Sequence, residues 1–168
     1  KKMHEILKDC QDRISSMALI HEKLYESTDF AKIDFAEYIK TLTNDMFGTH
    51  GVDPNKVKLK FDTEDILLEI DKATPCGLIV NELISNSLKH AFPDGREGEI
   101  LVKLHKYNEN MIELVVSDNG VSIPEEVDFR CTKTLGLQLV NILAEQIRGE
   151  LILSRENGTE FQIKFGLI

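Results

Sequence analysis

Cysteine is scarce and scattered. Cys10, Cys76 and Cys131 are odd in number and have no metal-ligand spacing. That argues against a disulfide framework and makes a reducing cytoplasm the simplest setting. No run approaches the roughly 20 apolar residues that cross a bilayer, and no signal peptide is visible, so no membrane segment is expected. Basic residues are also short, 20 against 29 acidic for a net charge of −9. This argues against wrapping nucleic acid, while a local basic pocket for phosphates remains possible. Internal repeats and low-complexity stretches are absent. What is there is 168 residues, 42% of them apolar, enough for one substantial domain with a real core and a short appendage. The sequence opens inside a helix at Lys1-Lys2-Met3, which reads as a fragment of a longer chain.

From Met3 to Leu24, apolar or small residues recur at Met3, Leu7, Cys10, Ile14, Met17, His21 and Leu24, in steps of 4 and 3. This is the seam of a helix packed at coiled-coil geometry, widened by Ile6 and Ile20. So wide a face needs a bundle, and the chain offers one short neighbour. Dimerisation is the natural completion. Ser27-Thr28-Asp29 breaks the helix. Asp34 then caps a second helix, with Glu37 completing a capping box. Phe35, Tyr38, Ile39, Leu42 and Met46 form its apolar face, and Gly48 ends it.

Val57–Phe61 and Ile66–Ile70 read as a β-hairpin across an acidic turn. Next comes Thr74 to Asp94, TPCGLIVNELISNSLKHAFPD, with Thr74 as cap, Pro75 in the first turn, and Pro93 and Gly95 as the stop. Glu99–Tyr107 and Met111–Asp118 are strands turning at Asn108-Glu109-Asn110. Residues 119–134 form a loop, Leu135–Arg148 a helix stopped by Gly149, and Glu150–Ser154 with Glu160–Phe165 a final hairpin. The order ββ-α-ββ-α-ββ predicts an α+β chain, a two-layer α/β sandwich in which helices cover one mixed sheet.

Three polar side chains mark the central helix. At about 100° per residue, Glu82, Asn86 and Lys89 fall within roughly 60° of one another, opposite Val80, Leu83, Ile84, Leu88 and Ala91. Alone, such a row is also an ordinary solvated face. Asp118 ends a strand whose Ile112, Leu114 and Val116 share its side, so it can be partly buried and would then need a donor. Alone, Asp118-Asn119-Gly120 is equally good turn chemistry. Gly136 at a helix start offers free N–H groups and the positive dipole end, a generic anion site that Lys133 and Lys89 could reinforce.

In this order NELISNSLKHAFPDG, SDNG, LGLQLV and NGTE resemble the N, G1, G2 and G3 boxes of the ATPase superfamily of gyrases, heat-shock chaperones, mismatch-repair ATPases and histidine kinases. The first is most similar to the histidine kinases. RISSMALIHEKLYES and IDFAEYI resemble the second histidine-kinase dimerisation family. The likeness covers nearly the whole chain and implies a Bergerat-type ATP-binding fold with an N-terminal helical segment. The implied division is residues 1–48 for the end of the dimerisation helices and 49–168 for the catalytic domain.

The resemblance implies a sensor histidine kinase that binds ATP and Mg²⁺. The γ-phosphate would pass to a histidine before residue 1, for relay to a response-regulator receiver domain, in a homodimer joined through the N-terminal helices. His4 lies in KKMHEILKD, which does not match the acceptor motif, and His21 lies on the seam. Glu82 is the implied base. Asn86 is the implied Mg²⁺ ligand, and Asp118 the acceptor for the adenine amino group, with Gly120 giving the base room and Thr159 supporting the aspartate. Lys89, His90, Lys133, Leu135, Gly136 and Leu137 complete the implied nucleotide set. The sequence departs from the family at Ser122, where the G1 box usually has a second glycine. If that backbone is left-handed, serine costs about 1 kcal/mol or more and stiffens the lid. Two other classes fit less of the pattern: a clamp-type ATPase of the same superfamily, and a regulatory module that binds a partner without catalysis.

Overall fold

A computed structural model describes residues 2–26, 32–132 and 134–167, leaving aside the side chains at 2, 4, 5, 9 and 23–26. The elements in chain order are α1 (Lys2–Glu26), β1 (Lys32–Asp34), α2 (Phe35–Thr49), β2 (Val57–Thr63), β3 (Leu67–Glu69) and α3 (Ile70–His90). After a 3₁₀ turn at Pro93–Gly95 come β4 (Gly98–Asn108), β5 (Met111–Asp118), α4 (Leu135–Gln146), β6 (Glu150–Ser154) and β7 (Thr159–Gly166). Five strands make a mixed sheet in the order β2-β4-β5-β7-β6, antiparallel except for β2 beside β4.

Alternation along the strands builds two layers. Ile100, Val102 and Leu104 of β4 register against Asp118, Val116 and Leu114 of β5. Those three register in turn against Thr159, Phe161 and Ile163 of β7, and all nine are buried. This face carries the helices. On the intervening positions Glu113 accepts from Gln162 at 2.6 Å and pairs with Lys164, leaving that face polar. Asp118 therefore stands on the core side of its strand, in the row that otherwise holds apolar residues.

Two expectations need correction. β2 and β3 do not pair with each other: β2 joins β4 in the large sheet, and β3 joins β1 in a separate antiparallel pair. Glu64 ends the would-be turn by accepting from the Lys106 N–H at 3.0 Å, while Ile66 and Leu68 are buried in the core. Burial of those two side chains outweighs the local turn. The central helix also starts earlier than Thr74, at Ile70, with Glu69 as N-cap and Pro75 inside it. Ala73 is fully buried and Ile70 packs on the core, so tertiary contact extends the helix past its proline.

Elsewhere the pattern holds. Asp34 caps α2, accepting from the Glu37 N–H at 3.0 Å. Phe35, Tyr38, Ile39, Leu42 and Met46 are all buried. Cys10, Cys76 and Cys131 are free thiols. Among the described residues no helix is long and apolar enough to cross a membrane. The break at 27–29 lies outside the described residues. Along α1 the expected seam is exposed, with Met3 at 69%, Ile14 at 66% and Met17 at 43% exposure. The opposite side, Asp12, Ser16 and Ile20, is buried against α2 and α3.

The two-layer arrangement predicts a sharp contrast between faces. Leu114→Ala, in the core row, should cost about 2–5 kcal/mol of stability by denaturant titration. Lys103→Ala on the polar face should stay within about 0.5 kcal/mol. Equal losses would contradict it.

Candidate functional site

Asp118 is 5% exposed, and three elements supply its donors. Ser87 Oγ on α3 donates to Oδ2 at 2.7 Å. The Gly120 and Thr159 N–H groups donate to Oδ1 at 3.0 and 3.4 Å. A carboxylate has about four acceptor positions, so Oδ2 keeps room for one further donor. That donor would come from a cavity of about 870 Å³, which Asp118 lines.

The backbone just beyond Asp118 is held as firmly as its side chain. The Val121 N–H donates to the Ala91 carbonyl at the end of α3, at 2.8 Å. A Cβ at Gly120 would lie 2.2 Å from that same oxygen. The missing side chain is thus used against α3. Thr159 acts twice: its N–H supports Asp118, and its Oγ1 accepts from the Ile123 N–H at 3.2 Å. Ser122 is not in the left-handed region, which among described non-glycine residues holds Asp94 and Arg148. The feared strain is absent. Its hydroxyl instead donates to the Gly158 carbonyl at 2.6 Å, and Arg155 donates to the carbonyls of Ile123 and Val127. Residues 121–127 are therefore strapped to the β6–β7 turn.

The cavity is also lined by Glu82, Asn86, Lys89 and His90 of α3 and by Thr134, Leu135, Gly136 and Leu137 of α4. Gly136 sits close to the polar row: a Cβ there would be 2.8 Å from Glu82 Oε2 and 3.8 Å from Asn86 Oδ1. Among the described residues Thr134 gives α4 no side-chain cap. The first-turn N–H groups are thus left for water or an anion. Lys89 and His90 are exposed at the rim, and Lys133 lies outside the described residues. Of the described members of the predicted set, Glu82, Asn86, Lys89, His90, Asp118, Leu135, Gly136, Leu137 and Thr159 line this cavity, whereas Gly120 packs against Ala91 behind it.

Sequence reasoning missed two residues here. Ser87 carried a weak signal, a hydroxyl next to Asn86 on a helix otherwise buried nearly all round. Arg13 of α1 carried none that pointed to Glu82. Its Nε lies 2.5 Å from Glu82 Oε1 and its Nη2 3.0 Å from Oε2, with the two side chains 17% and 7% exposed.

The model of histidine kinase-, DNA gyrase B- and HSP90-like ATPases matches residues 71–167, and a histidine-kinase model matches residues 1–50. The chain belongs to this ATPase family. Within it, residues 71–167 form the ATPase-type domain. A sensor histidine kinase, PdtaS, from Mycobacterium tuberculosis is 29% identical over 165 residues, covering 95% of this chain and 32% of the relative. A blue-light-activated histidine kinase from Erythrobacter litoralis is 26% identical over 152 residues, covering 86% and 43%. The chain therefore spans less than half the length of these curated relatives. The histidine kinase domain of the E. litoralis EL346 blue-light-activated kinase shares the fold, with a TM-score of 0.86 over 95% of this chain and 75% of that one, at 22% identity.

Removing a donor from the buried carboxylate should be costly. Ser87→Ala should lower stability by about 1–3 kcal/mol, read by thermal or denaturant unfolding. An unchanged midpoint would mean that Ser87 does not hold Asp118.

Proposed function

We propose that this chain supplies the ATP-binding catalytic step of a two-component sensor histidine kinase. ATP would lie in the cavity between α3, α4 and the end of β5, with the γ-phosphate passing to a histidine outside residues 1–168. A response-regulator receiver domain would take it onward. Residues 1–48 would be the end of the dimerisation helices and 49–168 the catalytic domain. The observation that carries this reading is that Glu82 and Asn86 of α3 and the sequence-distant Asp118 at the end of β5 line one cavity of about 870 Å³. That volume is suited to a small-molecule ligand.

Each residue has a role that its surroundings support. Oδ2 of Asp118 would accept the adenine amino hydrogen, since Ser87 leaves it one acceptor position. The N–H groups of Leu135, Gly136 and Leu137, at the positive end of α4, would hold phosphate oxygens, aided by Lys89, His90 and Lys133. Asn86 fits a Mg²⁺ ion held mainly by phosphate and water. Among the described residues no cluster of three or more His, Cys, Asp or Glu offers an all-protein cage. When bound, the ion would neutralise charge on the phosphate oxygens.

Glu82 would take the imidazole proton as the nitrogen–phosphorus bond forms and the bond to the departing ADP oxygen breaks. The exposed seam of Met3, Leu7, Ile14 and Met17 supports a homodimer through α1, because these side chains find no cover within their own chain.

Glu82→Gln should slow phosphohistidine formation by about 10²–10⁴ while ATP still binds. Asp118→Asn, which turns an amide N–H₂ toward the base, should abolish nucleotide binding. Wild-type turnover in the first variant would remove Glu82 from the mechanism. Unchanged ATP affinity in the second would remove Asp118 from the base pocket.

A further inference from the structure

The helix that borders the cavity from outside the ATPase-type domain is α1, through Ile6, Cys10 and Arg13. Arg13 does more than border it. Its guanidinium grips Glu82 as a fork, one nitrogen to each carboxylate oxygen, at 2.5 and 3.0 Å. Arginine stays charged at any working pH, and the bidentate pair is the strongest form of this contact. A carboxylate with both oxygens so engaged is badly placed to receive a proton from an attacking imidazole. The group the reaction needs free is held.

The rest of the docked face of α1 shows how such a hold could be released. Asn81 Nδ2 donates to the Asp12 carbonyl at 3.0 Å, the Asp12 carboxylate meets His50 Nε2 at 3.0 Å, and Ser16 Oγ lies 3.0 Å from the Tyr38 hydroxyl. Among the described residues of α1, Ile20 is the one apolar side chain buried outright, with Leu19 partly covered. Water can replace each of these polar partners, whereas it cannot replace an apolar one. The helix is therefore fastened by specific, replaceable bonds. Its apolar seam points away, so a partner pulling on that side acts on the opposite side of the same rigid rod.

We propose that Arg13 is an inhibitory clamp on Glu82: with α1 docked the base is occupied, and a shift or rotation of α1 withdraws the guanidinium and frees it. This rests on the reading of Glu82 as the base. Nucleotide binding, which uses Asp118 and the start of α4, is left largely untouched by the clamp.

The test uses the full-length protein that carries this chain, with its own acceptor histidine. The rate of phosphohistidine formation from γ-labelled ATP is measured beside the affinity for a non-hydrolysable ATP analogue. Arg13→Met should raise the rate by about fivefold or more, within the usual range of coupling between sites, with little change in affinity. Arg13→Lys, which keeps the charge and loses the fork, should fall between. Tyr38→Phe loosens the docking of α1 from outside the cavity and should also raise the rate, which covers a failure of Arg13→Met to fold. Combined with Glu82→Gln, Arg13→Met should give no gain. Rates at or below wild type in Arg13→Met, or in Tyr38→Phe should the first variant not fold, would overturn the clamp. If the wild-type protein itself binds no nucleotide and forms no phosphohistidine, the functional reading fails and takes the clamp with it. If it does both and neither variant is faster, the clamp alone fails.

Discussion

The Asp118 carboxylate, buried at the end of β5 and held by Ser87, Gly120 and Thr159, is the contact on which the rest of the arrangement depends. Its place follows from the strand period. Ile112, Leu114 and Val116 must face the core, so the residue two positions on must face it too. A charged group in that row requires donors, and those donors come from α3, from the chain leaving β5 and from β7. Satisfying one carboxylate thereby fixes the relative position of a helix, a loop and a hairpin. The cavity is what their convergence leaves open.

α3 carries the second constraint. It is buried on almost every side, yet Asn81, Glu82, Ser85 and Ser87 are among its buried residues. Each buried polar group must find a partner. Asn81 and Glu82 find theirs on α1, and Ser87 finds Asp118. Gly136 lets the start of α4 approach Glu82 and Asn86 where a larger residue would collide. One helix thus links the surroundings of Asp118, the start of α4 and the helix that borders the cavity.

Much of this was legible beforehand. The period of two through Ile112, Leu114 and Val116 placed Asp118 on the core face, and the 3.6-residue period put Glu82, Asn86 and Lys89 together. What escaped was non-local. Thr74-Pro75 has the chemistry of a helix start, but burial of Ile70 and Ala73 carries the helix back to residue 70. An acidic turn between two short apolar runs looks like a hairpin, yet β3 pairs with the three-residue β1, which is too short to leave a pattern. Arg13 carries no sequence pattern that ties it to Glu82, which lies 69 residues on. The second stripe, Asp12, Ser16 and Ile20 at steps of four, marked the docked face. Polar residues do not announce burial in a sequence. Ser122 shows the converse: a departure from a family's glycine that suggested strain sits in ordinary backbone and acts through its hydroxyl.

The central claim is that a fixed, buried acceptor on Asp118 chooses the nucleotide base. Calorimetric titration of the protein with non-hydrolysable analogues of ATP and of GTP, each with and without Mg²⁺, tests it directly. Adenine presents an amino group where guanine presents a carbonyl, so ATP analogue should give a saturable heat that Mg²⁺ strengthens, and GTP analogue should give none. A flat trace with the ATP analogue, or equal binding of the two, would contradict the account.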